Sequence, residues 1–380
     1  MRLVASVLCA LLLCGVAYAT PAPTSTSGTM ADGETVTITG SGFGTKSPAA
    51  PLVYDDFEDG AADVTASALG RVNWGGLEEQ TVLDNVVYGG AYAVHHTYTS
   101  GEDVGNFWVL DNTLGDASKI YVYLVRRWDG TFDNAATNMK ILRIYPAAGG
   151  LPDLVVTFHG TAILGGWGPA YNAAVEACDN PIFPTGYQKN NWPVSGTWYP
   201  EEYVVQFSSA TDAADGTYTH YRTGTELVTA SDVTTRCSGY TAIPQKIYID
   251  GYQGGTGFVG DVYEDSIYVD NTWARTMLCT GATWAARATC EIQPASAWSD
   301  TEVTVTINQG NFADDATAYL YVVDADGAAN ADGLEVTFGA EVPVPVPCIS
   351  IYYLSRPYWK NIGQGSLNSC IRRSLHAANP

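Results

Sequence analysis

Gly33-Glu34-Thr35-Val36-Thr37-Ile38-Thr39-Gly40-Ser41-Gly42-Phe43-Gly44 decides the fold, because it opens a structure that the residues after it do not complete. Positions 35–39 alternate as a half-buried strand does, and the Gly-Ser-Gly-Phe-Gly run supplies a turn. Strands of the same character return more than two hundred residues later. They are Ala297-Trp298-Ser299-Asp300-Thr301-Glu302-Val303-Thr304-Val305-Thr306-Ile307, then Ala318-Tyr319-Leu320-Tyr321-Val322-Val323-Asp324-Ala325-Asp326-Gly327, then Leu334-Glu335-Val336-Thr337-Phe338. One small β-sandwich interrupted by a larger inserted domain explains both halves.

The opening hairpin resembles that of an immunoglobulin-like IPT/TIG domain. The resemblance implies a small sandwich made of 20–51 and 273–339, with the insertion spanning 52–272. Lys46-Ser47-Pro48-Ala49-Ala50-Pro51 reads as the connector, and Val53-Tyr54-Asp55-Asp56-Phe57-Glu58 as the first strand and turn of the insertion. Almost every segment alternates with period two between Gly, Asp, Asn or Pro, and no window keeps a helical period for three turns. The expected class is all-β.

The insertion resembles the concanavalin A-like jelly roll shared by legume lectins, laminin G modules, glycoside hydrolases and polysaccharide lyases. Three features carry this: the opening Asp-Asp-Phe-Glu strand; Thr197-Trp198-Tyr199 leading into Glu202–Phe207 and the Asp215-Gly216 hairpin; and the closing pair Ile247-Tyr248-Ile249-Asp250 and Ile267-Tyr268-Val269-Asp270. The fold hosts binders and enzymes alike, so it leaves the chemistry open.

Residues 1–19 read as an export leader, with basic Arg2, an apolar run and Ala17-Tyr18-Ala19 at the cut. No later stretch is apolar enough to span a bilayer. The expected location is secreted or at the cell surface. The chain carries 18 Lys and Arg against 40 Asp and Glu, a net charge of −22, which argues against a nucleic-acid partner. The cysteines outside the leader favour disulfides over zinc, and their order pairs Cys178 with Cys237, Cys279 with Cys290, and Cys348 with Cys370. Beyond a stiff Pro-rich linker at 340–347, the basic tail 348–380 matches no fold and reads as a disordered or incidental extension as readily as an appendage.

Strand parity sorts core-facing from outward residues. It places Ile120, Val122 and Leu124 inward and Tyr121, Tyr123 and Arg127 outward; Leu142 and Ile144 inward and Arg143 and Tyr145 outward. It likewise turns His159, Gln206, Tyr248 and Asp250 outward. Gathered on one concave sheet, Tyr123, Arg127, Arg143, Tyr145, His159, Gln206, Tyr248 and Asp250 make a face suited to sugars, rings for pyranose faces and Arg or Gln for hydroxyl and uronate groups. Ordinary solvent-side residues on scattered strands are the competing reading.

The paired carboxylates of a glycosidase strand are missing, so hydrolysis is disfavoured. A lyase of this fold needs a Tyr or His base and side chains that neutralise a uronate carboxylate. His159 as base, Tyr145 or Tyr248 as acid, and Arg127, Arg143 and Gln206 as neutralisers fill those roles, although the strand motifs of the best-known alginate lyases are absent. No cofactor is required. Structural calcium is a candidate at Asp56, Glu58, Asp261 and Asp265, acids near the first and last strands of the insertion. The expected function is exported recognition of an extracellular polysaccharide, with a polysaccharide lyase and a surface structural or adhesin subunit as alternatives.

Overall fold

The computed structural model describes residues 20–58, 82–99, 107–108, 117–132, 138–146, 154–159, 170–175, 180–181, 193–236, 244–253 and 257–339. They build two β-sandwiches within one compact unit.

The smaller sandwich draws on both ends of the chain. One sheet runs β1 (Ala22–Ser27), β2 (Thr35–Ser41), β20 (Glu302–Thr306), β19 (Ala295–Trp298); the other runs β18 (Cys290–Gln293), β17 (Arg275–Cys279), β21 (Thr317–Val323), β22 (Leu334–Thr337). In the first sheet Val36 lies opposite Val305 and Ile38 opposite Val303. These side chains meet Leu278, Leu320, Val322 and Val336 of the second sheet in one core. Each side chain of that size moved out of water contributes about 1.5–3 kcal/mol, so neither end of the chain forms this core alone. Between β21 and β22, Asp324 Oδ1 accepts the N–H groups of Asp326 and Ala328 while Gly327 takes φ 87°. Asp324 therefore closes a tight turn.

The larger sandwich also has two antiparallel sheets. The six-stranded sheet runs β11 (Asn180–Pro181), β10 (Ala170–Val175), β9 (Leu154–His159), β8 (Asn138–Pro146), β15 (Pro244–Gln253), β6 (Phe107–Trp108). The eight-stranded sheet runs β14 (Thr225–Val233), β13 (Gly216–Arg222), β12 (Trp198–Gln206), β7 (Lys119–Phe132), β16 (Phe258–Asp270), β5 (Ala93–Tyr98), β4 (Val82–Asp84), with β3 (Val53–Asp55) also on β16. Ile120, Val122, Leu124, Tyr203 and Val205 from one sheet pack on Leu142, Ile144, Ile247 and Ile249 from the other. This is the inward set that alternation requires.

The outer face of the eight-stranded sheet is not free along its length. Tyr121, Tyr123, Val125 and Tyr268 form a third apolar cluster with Met277, Cys279, Cys290, Ile292 and Tyr321 of the smaller sandwich. Polar contacts sew the same junction. Arg275 Nη2 and the Tyr121 hydroxyl both donate to Glu202 Oε2, at 3.1 and 2.9 Å. Lys46 Nζ lies 2.7 Å from Asp270 Oδ2 and donates to the Tyr268 hydroxyl at 2.9 Å. The Cys279–Cys290 disulfide joins β17 to β18 at a directly paired position. Cys178, Cys237, Cys348 and Cys370, the leader and the tail lie outside the described residues.

Candidate functional site

β8 and β15 are neighbours near the middle of the six-stranded sheet. Arg143 pairs with Tyr248, and Tyr145 with Lys246. Leu142, Ile144, Ile247 and Ile249 take the inner face, which leaves Arg143, Tyr145 and Tyr248 together on the outer one. Arg143 is 8% exposed. Its Cζ lies 5.0 Å from the Tyr248 ring centroid and 6.0 Å from that of Tyr145, and Nη1 donates a long hydrogen bond of 3.5 Å to the Tyr145 hydroxyl. The two tyrosine rings meet edge to face at 4.9 Å. A guanidinium seated on two aromatic faces gains about 0.5–2 kcal/mol, which restricts an otherwise mobile side chain.

On the other side of β8, β9 pairs Val155 with Arg143 and His159 with Asn138. Strand register thus puts His159 on the same sheet, one strand from Arg143. Asp250 belongs to β15, two residues from Tyr248. Lys140, absent from the parity argument, is a half-buried cation on β8 three residues before Arg143. The sequence signal was present as a Lys in a strand, but simple alternation sends it to the opposite face.

The expected single face does not form. Arg143, Tyr145, His159, Tyr248 and Asp250 belong to the six-stranded sheet, whereas Tyr123, Arg127 and Gln206 belong to the eight-stranded one. Tyr123 is fully buried, and its hydroxyl donates to the Cys290 carbonyl at 2.8 Å and to Glu291 at 3.2 Å. Its outward parity was right, but the smaller sandwich covers that face. Arg127 is paired with Asp129 at 2.6 Å and lies over Tyr263. Gln206 sits at the far end of β12, opposite Lys119. His95 and His96 diverge: His95 stacks on Tyr263, and His96 is buried beside Tyr98, where burial holds its pKa down at about 4.

The calcium set also divides. Asp56, Glu58 and Asp265, with Asp32, line a cleft of about 230 Å³, but Asp261 is not among its walls and accepts from Thr97 Oγ1 at 2.6 Å. The three that meet are occupied by backbone. Glu58 accepts the N–H groups of Ala91 and Tyr92, Asp265 Oδ2 those of Tyr88 and Gly89, and Asp56 Oδ1 that of Glu58. Burial raises Asp265 to about 7 against these same bonds. Among the described residues no three His, Cys, Asp or Glu side chains are arranged to hold a metal ion. Glu58 and Asp265 clasp the 88–92 loop, and Asp56 caps its own turn at Glu58.

No protein-family profile matches the chain, and no curated protein matches it in sequence. Among solved structures it is similar to an alginate lyase in complex with an alginate tetrasaccharide, at 12% identity and TM-score 0.43, over 58% of this chain and 97% of that one. It is also similar to an endo-β-1,4-glucuronan lyase from Trichoderma reesei, at 17% identity and TM-score 0.36, over 59% and 97%. An endo-1,3-β-glucanase from Streptomyces sioyaensis matches at 12% identity and TM-score 0.33, over 58% and 95%.

Proposed function

We propose that this protein is exported and recognises an acidic extracellular polysaccharide, seating a uronate-bearing chain on the outer face of the six-stranded sheet. The observation that supports it most is Arg143, packed against the contacting rings of Tyr145 and Tyr248 with Lys140 on the same strand. Rings take the apolar faces of pyranoses, and a guanidinium takes a carboxylate in a two-pronged bond. A locally basic face matters because the chain as a whole carries a charge of −22, and an anionic glycan needs a local exception to that field. We read the smaller sandwich as an IPT/TIG-type spacer fixed to the recognition domain.

A second reading is a polysaccharide lyase, favoured by the Tyr145 hydroxyl lying 3.5 Å from the Arg143 guanidinium. A cation on the uronate carboxylate makes the neighbouring C–H acidic. A base removes that proton, the glycosidic C–O bond on the next carbon breaks, and an acid protonates the leaving oxygen. Tyr145, Tyr248 and His159 are the candidates for proton transfer. Mature protein incubated with a panel of uronate-containing and neutral polysaccharides separates the readings. Retention on a uronate polymer without ultraviolet-absorbing unsaturated ends supports recognition, growth of that absorbance supports the lyase, and neither signal rejects both.

A further inference from the structure

β8 carries one extra residue against β9, and β15 in turn carries one extra residue against β8 at the same point. Pairing passes from Lys140 opposite Thr157 to Leu142 opposite Val156 on the β9 side, and from Lys140 opposite Tyr252 to Leu142 opposite Ile249 on the β15 side. Ile141 is paired in neither register. The burial pattern shows the consequence: Met139, Ile141, Leu142 and Ile144 are all fully buried in the core, while Lys140 and Tyr145 are half-buried and Arg143 is 8% exposed. In a regular strand residues three apart point to opposite faces. The one extra residue of a bulge brings Lys140 and Arg143 to the same face.

The bulge is held from inside the sandwich. Arg126 of β7 is fully buried, and its Nη2 crosses the core to donate to the Ile141 carbonyl at 3.2 Å. Its other donors are fixed by carboxylates: Nη1 to Glu201 Oε2 at 3.0 Å, and Nε and Nη2 to Glu264 Oε1 at 3.2 Å. Glu201 is held in turn by Arg222 Nε at 2.8 Å and the Tyr203 hydroxyl at 2.9 Å. Burial alone would raise the Glu201 pKa, but Arg222, His220 and Arg126 bring it well below the usual carboxylate range, so it stays an anion. A planar guanidinium with five donors satisfies two carboxylates and a carbonyl at once; an ammonium on a flexible stem does not reproduce that fork.

We propose that Arg126 is a positioning residue: by pinning the Ile141 carbonyl it fixes the bulge that sets Lys140 and Arg143 side by side, and so gives the outer face its selectivity for an anionic sugar chain. The selectivity rests on the glycan reading above; the pin itself does not. Arg126 never meets the ligand. Its effect reaches the site through the backbone of β8.

Arg126→Lys tests this, with hydrogen exchange along β8 measured beside retention on polygalacturonate and on a neutral glucan. The expected result is exchange at amides 140–145 about tenfold faster with 120–124 unchanged, and polygalacturonate affinity lowered on the order of tenfold to a hundredfold, since small misplacements of a binding group carry costs of that size. Neutral-glucan retention stays as it was. Unchanged exchange on β8 overturns the pin. Faster exchange with wild-type polygalacturonate affinity makes Arg126 merely structural and overturns its positioning role. If the wild type itself ignores polygalacturonate, the glycan reading and the selectivity fall together, and the exchange data alone decide the pin. Should Arg126→Lys not fold, Arg126→Met combined with Glu264→Gln removes one charge of each sign, leaves Glu201 paired with Arg222, and is read the same way.

Discussion

Arg143 and Tyr248 face one another across the β8–β15 ladder as a direct pair, with the guanidinium carbon 5.0 Å from the ring centroid. The ring supports the cation, which the proposed function assigns to an anionic group of the glycan. Tyr248→Phe keeps the ring and is expected to retain polyuronate binding. Tyr248→Ala removes it and is expected to weaken binding about tenfold, the equivalent of roughly 1.4 kcal/mol for a lost cation–π support. Isothermal titration against a uronate oligosaccharide checks both. Equal affinities for the two variants would remove the ring from the account.

The junction between the sandwiches depends on a buried pair. Arg275 is 4% exposed and bonded to Glu202, which is 3% exposed. Arg275→Met removes the nearer of that carboxylate's two cations and leaves Arg287 at 3.9 Å, at an expected cost of about 3 kcal/mol, and adding Glu202→Gln recovers much of it. Chemical denaturation of the single and double variants decides this. Additive losses would show that the two side chains do not act as a pair.

Stability is expected to fall with rising pH through Glu291. Burial raises its pKa from 4.5 to about 8; nearby Asp265 adds to the rise, while the Asn311 N–H and the Tyr88 and Tyr123 hydroxyls oppose it. The folded state keeps this proton where the unfolded chain has released it, so unfolding is favoured progressively from about pH 4.5 to about pH 8 and levels off above. Below the lower value both states are protonated and the contribution vanishes. Glu291→Gln should flatten this part of the profile and exceed wild type at pH 8 by roughly 4 kcal/mol. Thermal unfolding of the two proteins across that range is the measurement, and parallel curves would contradict it.

The Cys279–Cys290 bridge closes a short loop, with a sequence separation of 11. A loop of that size constrains the unfolded chain by roughly 2–3 kcal/mol. Replacing both cysteines with serine should lower the unfolding free energy by about that amount while leaving glycan binding intact, since β17 and β18 lie on the smaller sandwich. A loss of binding at full stability would link this sandwich to the site.

Much of the fold was legible because alternation reports which side chains leave a strand. Ile120, Val122 and Leu124 are in the core with Leu142, Ile144, Ile247 and Ile249, as their parity requires. Alternation does not report which strands share a sheet, and the site was therefore legible only in part. Arg143, Tyr145 and Tyr248 lie together, but Arg127 and Gln206 are on the other sheet and Tyr123 is under the smaller sandwich. Nor does it report bulges. Lys140 was lost because one unpaired residue, Ile141, reverses the parity between it and Arg143. Arg126 looked like an ordinary strand residue, since nothing local in the sequence shows that Glu201 and Glu264 converge on it from two other strands.

Arg143→Ala tests the central claim most directly, compared with wild type for retention on polygalacturonate and for growth of unsaturated-end absorbance, with circular dichroism confirming that both are folded. The account predicts that wild type is retained or generates that absorbance, and that Arg143→Ala loses both while its fold is kept. Wild-type behaviour in the folded variant, or no signal from wild type on any uronate polymer, would contradict it.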